Sequence, residues 1–225
     1  MTPYTIREIF GPTIQGEGVH AGTPCVFVRF AGCNVWSGRL DDGSRERSAC
    51  PYCDTDFFGG EKLHLAEIVA SIHERANRDV TMVVLSGGEP LLQVDAALID
   101  ALTDEGWSVS IETNGLVAPK FGPDEDVWIT LSPKGRPREI KIPLEMVDEI
   151  KLLVPGGPGG SPEEWDRALT GQAMTHLFLQ PIAKDIPPGG TYQWAVAETI
   201  GPTLAMAIAS GWRVSLQGHK AVGLP

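Results

Sequence analysis

Met82-Val83-Val84-Leu85-Ser86-Gly87-Gly88-Glu89-Pro90 is the stretch on which the reading of the fold turns. Four successive apolar residues rich in β-branching suit a parallel strand covered on both faces, and a glycine pair then ends it. Pro90 suits the first turn of a following helix, because it lacks the N–H that would go unpaired there. Downstream, Leu91, Leu92, Leu98, Ile99 and Leu102 recur at helical spacing and stop before Gly106. Upstream, Leu65, Ile68, Val69, Ile72 and Ala76 do the same. The same β-then-α order extends in both directions. Strands are predicted at 26–30, 82–86, 109–112, 127–131, 149–154, 177–180 and 214–217, with further helices at about 162–169 and 199–210. Such alternation predicts an α/β fold with a parallel sheet, right-handed crossovers and a tendency to curl into a barrel. The crossover at 116–126 contains Pro119, Gly122 and Pro123, and that at 132–143 contains three prolines, so the helical ring is expected to be incomplete.

Polar groups follow the strands at one end of this sheet. After the cysteine segment come Ser86 to Pro90, then Glu112-Thr113-Asn114-Gly115, Ser132-Pro133-Lys134, Gln180-Pro181 and Gln217-Gly218-His219-Lys220. In parallel α/β architectures the carboxyl ends of the strands carry the active site, so these six clusters are expected to converge there.

Composition narrows the class. The 225 residues suffice for one domain with a sizeable core, expected to span 1–225. A formal net charge of -11 repels phosphate backbones and argues against broad nucleic-acid binding. No apolar run reaches the roughly 20 residues of a membrane span. The first ten residues carry Arg7 and Glu8 rather than a signal-peptide core, which predicts a cytoplasmic protein. Four cysteines are too sparse for a disulfide scaffold, yet Cys33, Cys50 and Cys53 lie close in sequence. In a reducing compartment that clustering indicates a metal or catalysis.

Thiolate is the usual protein ligand of iron–sulfur clusters, and three thiolates on a four-iron cube leave one iron open. Structural zinc wants four ligands, the fourth being Cys25 or a histidine. The cysteines alone leave both readings open, and Cys25, at the start of a strand, reads as a small buried thiol.

The other motifs favour the cluster. Cys33 and the Cys50/Cys53 pair, followed by Gly87-Gly88-Glu89-Pro90 after the next strand, resemble the radical S-adenosylmethionine superfamily. The superfamily's usual Cys-x3-Cys-x2-Cys is altered here: Ser37 stands where the middle cysteine would fall, and Cys50 follows after an insertion at about 38–49. Residues further towards the N-terminus narrow the resemblance. Glu8-Ile9-Phe10, Thr13-Ile14-Gln15-Gly16-Glu17-Gly18, Phe27 to Asn34, Cys53-Asp54-Thr55 and the ending from His219 resemble the 7-carboxy-7-deazaguanine synthase family over essentially the whole chain.

That resemblance implies an incomplete (β/α) barrel and a carbon–nitrogen lyase. The implied reaction converts 6-carboxy-5,6,7,8-tetrahydropterin to 7-carboxy-7-deazaguanine with loss of ammonia, a step towards queuosine. It implies a 4Fe-4S cluster on Cys33, Cys50 and Cys53, S-adenosylmethionine as the radical source, and magnesium on Thr55, with Asp54 a competing ligand. Gly87, Gly88 and Glu89 are expected at the methionine end of the cofactor. Glu112, Asn114, Ser132, Lys134 and Gln180 are expected at its ribose, adenine or carboxylate. Gln15, Glu17, Arg29, Ser86, His219 and the terminal carboxylate of Pro225 resemble the family's substrate contacts. A pterin's guanidine-like edge wants acceptors and its carboxylate wants a cation, which Arg29 supplies in bidentate fashion. The implied partners are a reductase or flavodoxin-type electron donor and a second copy of the chain. A radical activating enzyme forming a glycyl radical on a partner protein shares the Gly-Cys-Asn opening and remains an alternative, as does a non-enzymatic zinc module.

Overall fold

Alternation along each strand divides the sheet into two faces of opposite character. The computed structural model describes residues 2–172, 176–186 and 190–224. Its strands are β1 (Tyr4–Ile14), β2 (Pro24–Phe30), β3 (Glu61–Leu63), β4 (Met82–Gly87), β5 (Ser108–Thr113), β6 (Val127–Leu131), β7 (Glu149–Val154), β8 (His176–Pro181) and β9 (Arg213–Val214). They form one open sheet in the order β3-β1-β2-β4-β5-β6-β7-β8-β9. From β2 to β9 every neighbouring pair is parallel, while β1 runs antiparallel to both β2 and β3. The sheet does not close, and the molecule is the expected incomplete barrel.

The helices α1 (Leu65–Arg75), α2 (Ala96–Asp104), α3 (Pro162–Ala168) and α5 (Ile200–Ser210) are joined by two short ones, α4 (Tyr192–Ala195) and α6 (Gly218–Ala221). Val83 and Leu85 of β4, Val109 and Ile111 of β5 and Ile150 and Leu152 of β7 form one apolar face, buried in a single core with Ile68 and Ile72 of α1 and Leu98, Ile99 and Leu102 of α2. Period-two alternation sends their neighbours to the other face. There Cys25, Met82 and Val84 make a small apolar floor, and the residues one step further along the strands are Arg29, Ser86, Glu112, Lys151 and Gln180. Arg29 and Ser86 are register partners across β2 and β4.

Several expectations are corrected. The helical pattern at 91–102 is not one helix: Pro90–Leu92 is a single 3-10 turn, and the chain re-enters helix only after Asp95. Asp95 accepts a hydrogen bond from Leu98 N at 3.2 Å and another from the Tyr4 hydroxyl at 2.7 Å, so it caps α2 and ties it to β1. Asp95→Ala should therefore lower unfolding free energy by about 1–2 kcal/mol in a urea titration. The strand expected at 214–217 is only Arg213–Val214, although Ser215 N still reaches Leu179 O at 2.9 Å. Strands β1 and β3 escape sequence reading. β1 carries Arg7, Glu8 and Gly11-Pro12, and its register against β2 shifts twice, which breaks the alternation a strand search relies on.

The insertion at 38–49 forms turns with no helix or strand. The Ser37 hydroxyl donates to Asp42 at 2.5 Å and meets the Ser44 hydroxyl at 2.8 Å, so it organises the insertion. Among the described residues no helix is long and apolar enough to cross a membrane.

Candidate functional site

At the carboxyl ends of the parallel strands the backbone of the cysteine segment comes down onto the end of β4. Gly88 N donates to Phe30 O at 3.2 Å and Glu89 N to Gly32 O at 2.9 Å. A Cβ on Gly88 would stand 2.1 Å from Gly32 O, and one on Gly87, whose φ is 134°, would stand 2.3 Å from Phe30 O. The glycine pair is thus required by the chain's own backbone, since two segments meet too closely for any side chain. Gly87 and Gly88 also line the cavity beside Cys33.

Cys33, Cys50 and Cys53 open onto this one cavity, and Cys25 is not among its lining residues. Cys25 is fully buried in β2 against Met82 and Val84, and burial pushes its thiol up to about 12. Enclosed by apolar side chains and outside that cavity, it is a packing residue rather than a ligand. Cys50 and Cys53 share a proton: hydrogen bonding from Cys50 holds Cys53 down to about 6, while Cys50 is pushed up. The buried Trp36 indole Nε1 lines the same cavity near the Cys53 sulfur without completing a hydrogen bond. Three thiols and an unpaired N–H around one space are the donor set an iron–sulfur cluster uses, with thiolates for iron and a hydrogen bond for sulfur. The residues present fit such a group. Among the described residues, no three His, Cys, Asp or Glu side chains converge on one point as a single-ion site requires.

Glu89 stands behind this cavity rather than in it. Its carboxylate accepts hydrogen bonds from Leu91 N at 3.0 Å, the Thr113 hydroxyl at 2.8 Å and Asn114 N at 2.8 Å. Burial pushes this carboxyl up against the three donors, which favour the charged form. Asn114 in turn donates from Nδ2 to Asn34 Oδ1 at 2.7 Å, tying the loop after β5 to the residue after Cys33. Lys134 donates to Ser132 O at 2.8 Å and to its hydroxyl at 2.9 Å. Burial lowers the Lys134 pKa, and the neighbouring sulfurs of Cys50 and Cys53 oppose that. Asn114, Ser132, Lys134 and Gln180 all line the cysteine cavity.

A second cavity adjoins the first and shares Glu17, Asp54, Thr55, Ser86, Glu112 and Gln217 with it. Gln15, Arg29, His219 and Lys220 complete its polar wall. Gln15 Nε2 donates to Glu112 Oε1 at 3.1 Å, and the Ser86 hydroxyl to Glu112 Oε2 at 3.4 Å. Arg29 pairs with Glu8, its register partner on β1, and lies 5.1 Å over the Phe10 ring. Lys220 of α6 pairs with Asp54, so the C-terminal segment closes on the cysteine loop. Gly218 N donates to Gly16 O at 2.8 Å, and His219 packs so tightly on Gly16 that a Cβ there would sit 2.0 Å from Nδ1. Burial lowers the His219 pKa, and Glu17 opposes the shift.

Every candidate residue named from the sequence lines one of these two cavities except Glu89, which supports the wall, and Pro225, which lies outside the described residues. Lys151 was missed. It is 3% exposed and pairs with both Glu17 and Glu112. The signal was present: Glu149 and Lys151 alternate with Ile150, Leu152 and Val154, two charges inside an otherwise apolar strand. Gln217 was noted only as part of a strand-end cluster, yet its Nε2 donates to Glu17 at 2.9 Å.

Residues 45–170 match the Radical SAM superfamily. Over 98% of this chain and 99% of that one, the sequence is 41% identical to the 7-carboxy-7-deazaguanine synthase of Bradyrhizobium diazoefficiens. Identity to the enzyme of the same name from Bordetella pertussis is 40%, over 99% of both chains. Among solved structures, that of QueE from Escherichia coli aligns with a TM-score of 0.68 at 26% identity, covering 96% of this chain and 95% of that one.

Proposed function

The chain belongs to the 7-carboxy-7-deazaguanine synthase family of the Radical SAM superfamily, and from that premise we propose how its two adjoining cavities divide the work. It converts 6-carboxy-5,6,7,8-tetrahydropterin to 7-carboxy-7-deazaguanine, with loss of ammonia, in 7-deazapurine (queuosine) biosynthesis. The observation that carries this reading is the shared wall: three thiols open on one side of it, and Gln15, Arg29 and His219 stand on the other. Neither a glycyl-radical activator nor a zinc module accounts for the second cavity.

When bound, a 4Fe-4S cluster and S-adenosylmethionine supply the hydrogen abstraction that side chains cannot. Cys33, Cys50 and Cys53 would hold that cluster, three thiolates on four irons leaving one iron for the cofactor. Gly87 and Gly88 present bare backbone there. Glu89 acts as a positioning residue, fixing Thr113 and Asn114 through the bonds described above. Asn114, Ser132, Lys134 and Gln180 line the cofactor's side, and Glu112 faces both cavities.

The pterin's donor-rich edge would meet Glu17, Glu112 and Gln15, with Ser86 and His219 beside it. Its carboxylate would take Arg29, which must then exchange Glu8 for the substrate; a rim ion pair is weak enough to allow this. Thr55 is the proposed magnesium ligand, since this cation completes its six oxygens with water and substrate, and Asp54, the competing ligand, is paired with Lys220. A cytoplasmic homodimer and a reductase or flavodoxin-type electron donor belong to the same proposal. They are supported by the family and by the one-electron demand of the chemistry.

The test is anaerobic. Protein reconstituted with iron and sulfide is given S-adenosylmethionine, a strong reductant, magnesium and the carboxytetrahydropterin, and products are read by mass spectrometry. Appearance of 7-carboxy-7-deazaguanine is expected. Formation of 5′-deoxyadenosine without it would overturn the substrate, and neither product from fully loaded protein would overturn the function.

A further inference from the structure

Lys151 is a buried cation on the concave face, at the wall of the cysteine cavity. Alternation along β7 points it inward, where it is 3% exposed and flanked on its own strand by Glu149. A buried ammonium needs compensation, and this one has it twice: Nζ pairs with Glu17 Oε2 and donates to Glu112 Oε1 at 3.2 Å. The opposite oxygens of the two carboxylates are also held. Glu17 Oε1 accepts from Gln217 Nε2 at 2.9 Å, and Glu112 Oε2 from the Ser86 hydroxyl at 3.4 Å. Gln15 completes the arrangement at Glu112 Oε1, 3.1 Å away. Glu17 comes from the segment after β1 and Glu112 from β5, so Lys151 of β7 joins acceptors from two distant parts of the chain.

We propose that Lys151 is a positioning residue of the pterin pocket, its buried ammonium clamping Glu17 and Glu112 side by side as a pair of charged acceptors for the donor-rich edge of the substrate. The inference rests on the pterin reading of that pocket. Without the lysine, two carboxylates would face each other in a space that water enters poorly. They would separate, or one would take a proton, and either change spoils an acceptor pair matched to two N–H donors. The electrostatics agree with the geometry. Burial pushes the Glu17 carboxyl up, but Lys151 and Gln217 together hold it at about 2. Burial would lower Lys151, and Glu112, Glu17 and Glu149 instead raise it. The other charged groups facing the cluster are His219, beside Glu17 and Glu112, and Lys134, across the cysteine cavity.

The experiment compares wild type, Lys151→Met and Lys151→Arg, each reconstituted with iron and sulfide. Lys151→Met should bind S-adenosylmethionine as wild type does in calorimetry, while the pterin KM rises on the order of tenfold to a hundredfold with a smaller change in kcat. The acid limb of kcat/KM should move to higher pH, because Glu17 loses the cation that keeps it charged. Lys151→Arg should recover most of the affinity. Unchanged pterin KM, or equal loss of S-adenosylmethionine binding, overturns the assignment. If Lys151→Met fails to fold, as thermal melting would show, the Lys151→Met, Glu17→Gln pair restores charge balance. Weak pterin binding with normal cofactor binding is then expected, and wild-type pterin affinity in that pair overturns the proposal. Wild-type protein that does not turn over the pterin would instead sink the reading of the pocket on which this inference stands.

Discussion

Cys50→Ala is expected to remove the iron–sulfur cluster and all turnover, whereas Cys25→Ala is expected to keep both. The two residues are both buried thiols, at 8% and 0% exposure, so burial alone does not separate them. Surroundings do. Cys50 lines the cavity with Cys33 and Cys53 and shares a proton with Cys53, which is thereby held near thiolate form. Cys25 is wrapped by Met82 and Val84 and is pushed up to about 12. A ligand must reach the cluster, and of the two thiols only Cys50 opens onto the cavity where Cys33 and Cys53 stand. Iron and sulfide analysis after reconstitution should fall from about four irons per chain to near zero in Cys50→Ala. Cys25→Ala should load fully and lose about 1 kcal/mol of stability. Equal iron loss in the two variants would overturn the ligand assignment. Ser37→Ala is a useful companion, since Ser37 stands where a middle cysteine is usual but spends its hydroxyl on Asp42 and Ser44. It should load iron as wild type does.

Gly88→Ala is expected to be nearly as damaging, through backbone rather than ligands. The added carbon would lie 2.1 Å from Gly32 O and 3.0 Å from Cys33 Cβ. Neither contact is with the free end of a flexible side chain, so the segment carrying Cys33 must move away from β4. Overpacking of that kind costs about 1–3 kcal/mol or more, and here it also displaces Cys33, a proposed cluster ligand. Turnover should fall at least about a hundredfold, since small misplacements at a reacting centre cost that much. Cluster occupancy should fall with it. Gly122→Ala is the control: nothing lies within 4 Å of its added carbon, and activity and melting temperature should be unchanged. Wild-type iron content and turnover in Gly88→Ala would mean that the close approach of the two segments is not needed.

Much of this site was legible because each residue sits at a position a linear pattern marks. Ser86, Glu112, Ser132 and Gln180 are the polar residues with which apolar strands end, and the parallel fold gathers strand ends by construction. What the pattern missed follows from the same logic. Lys151 lies one turn of the alternation before its strand ends, inside a run read as apolar, so it was counted as strand rather than site. Glu89 was expected at the cofactor's ammonium and is found bonded to Thr113 and Asn114, because a carboxylate capping the 3-10 turn after Gly88 is directed into the protein. Strand β1 was invisible for a different reason. Its register against β2 shifts twice, and its partners on both sides rather than its own alternation make it a strand.

The division between sequence and tertiary structure therefore has a physical basis. Covalent order alone determined the α/β repeat, the identity of the three clustered thiols, the glycine pair and the gathering of polar loops at one end of a parallel sheet. Each of these depends on period, spacing or a residue's intrinsic chemistry, which are local. Only the folded chain decided which thiols open onto a common cavity, which carboxylate faces a cavity and which serves behind it, and that Glu17, Glu112 and Lys151 meet. Those outcomes depend on burial and on partners up to 200 positions apart, and electrostatic energy is set by distance through space and by the dielectric between charges.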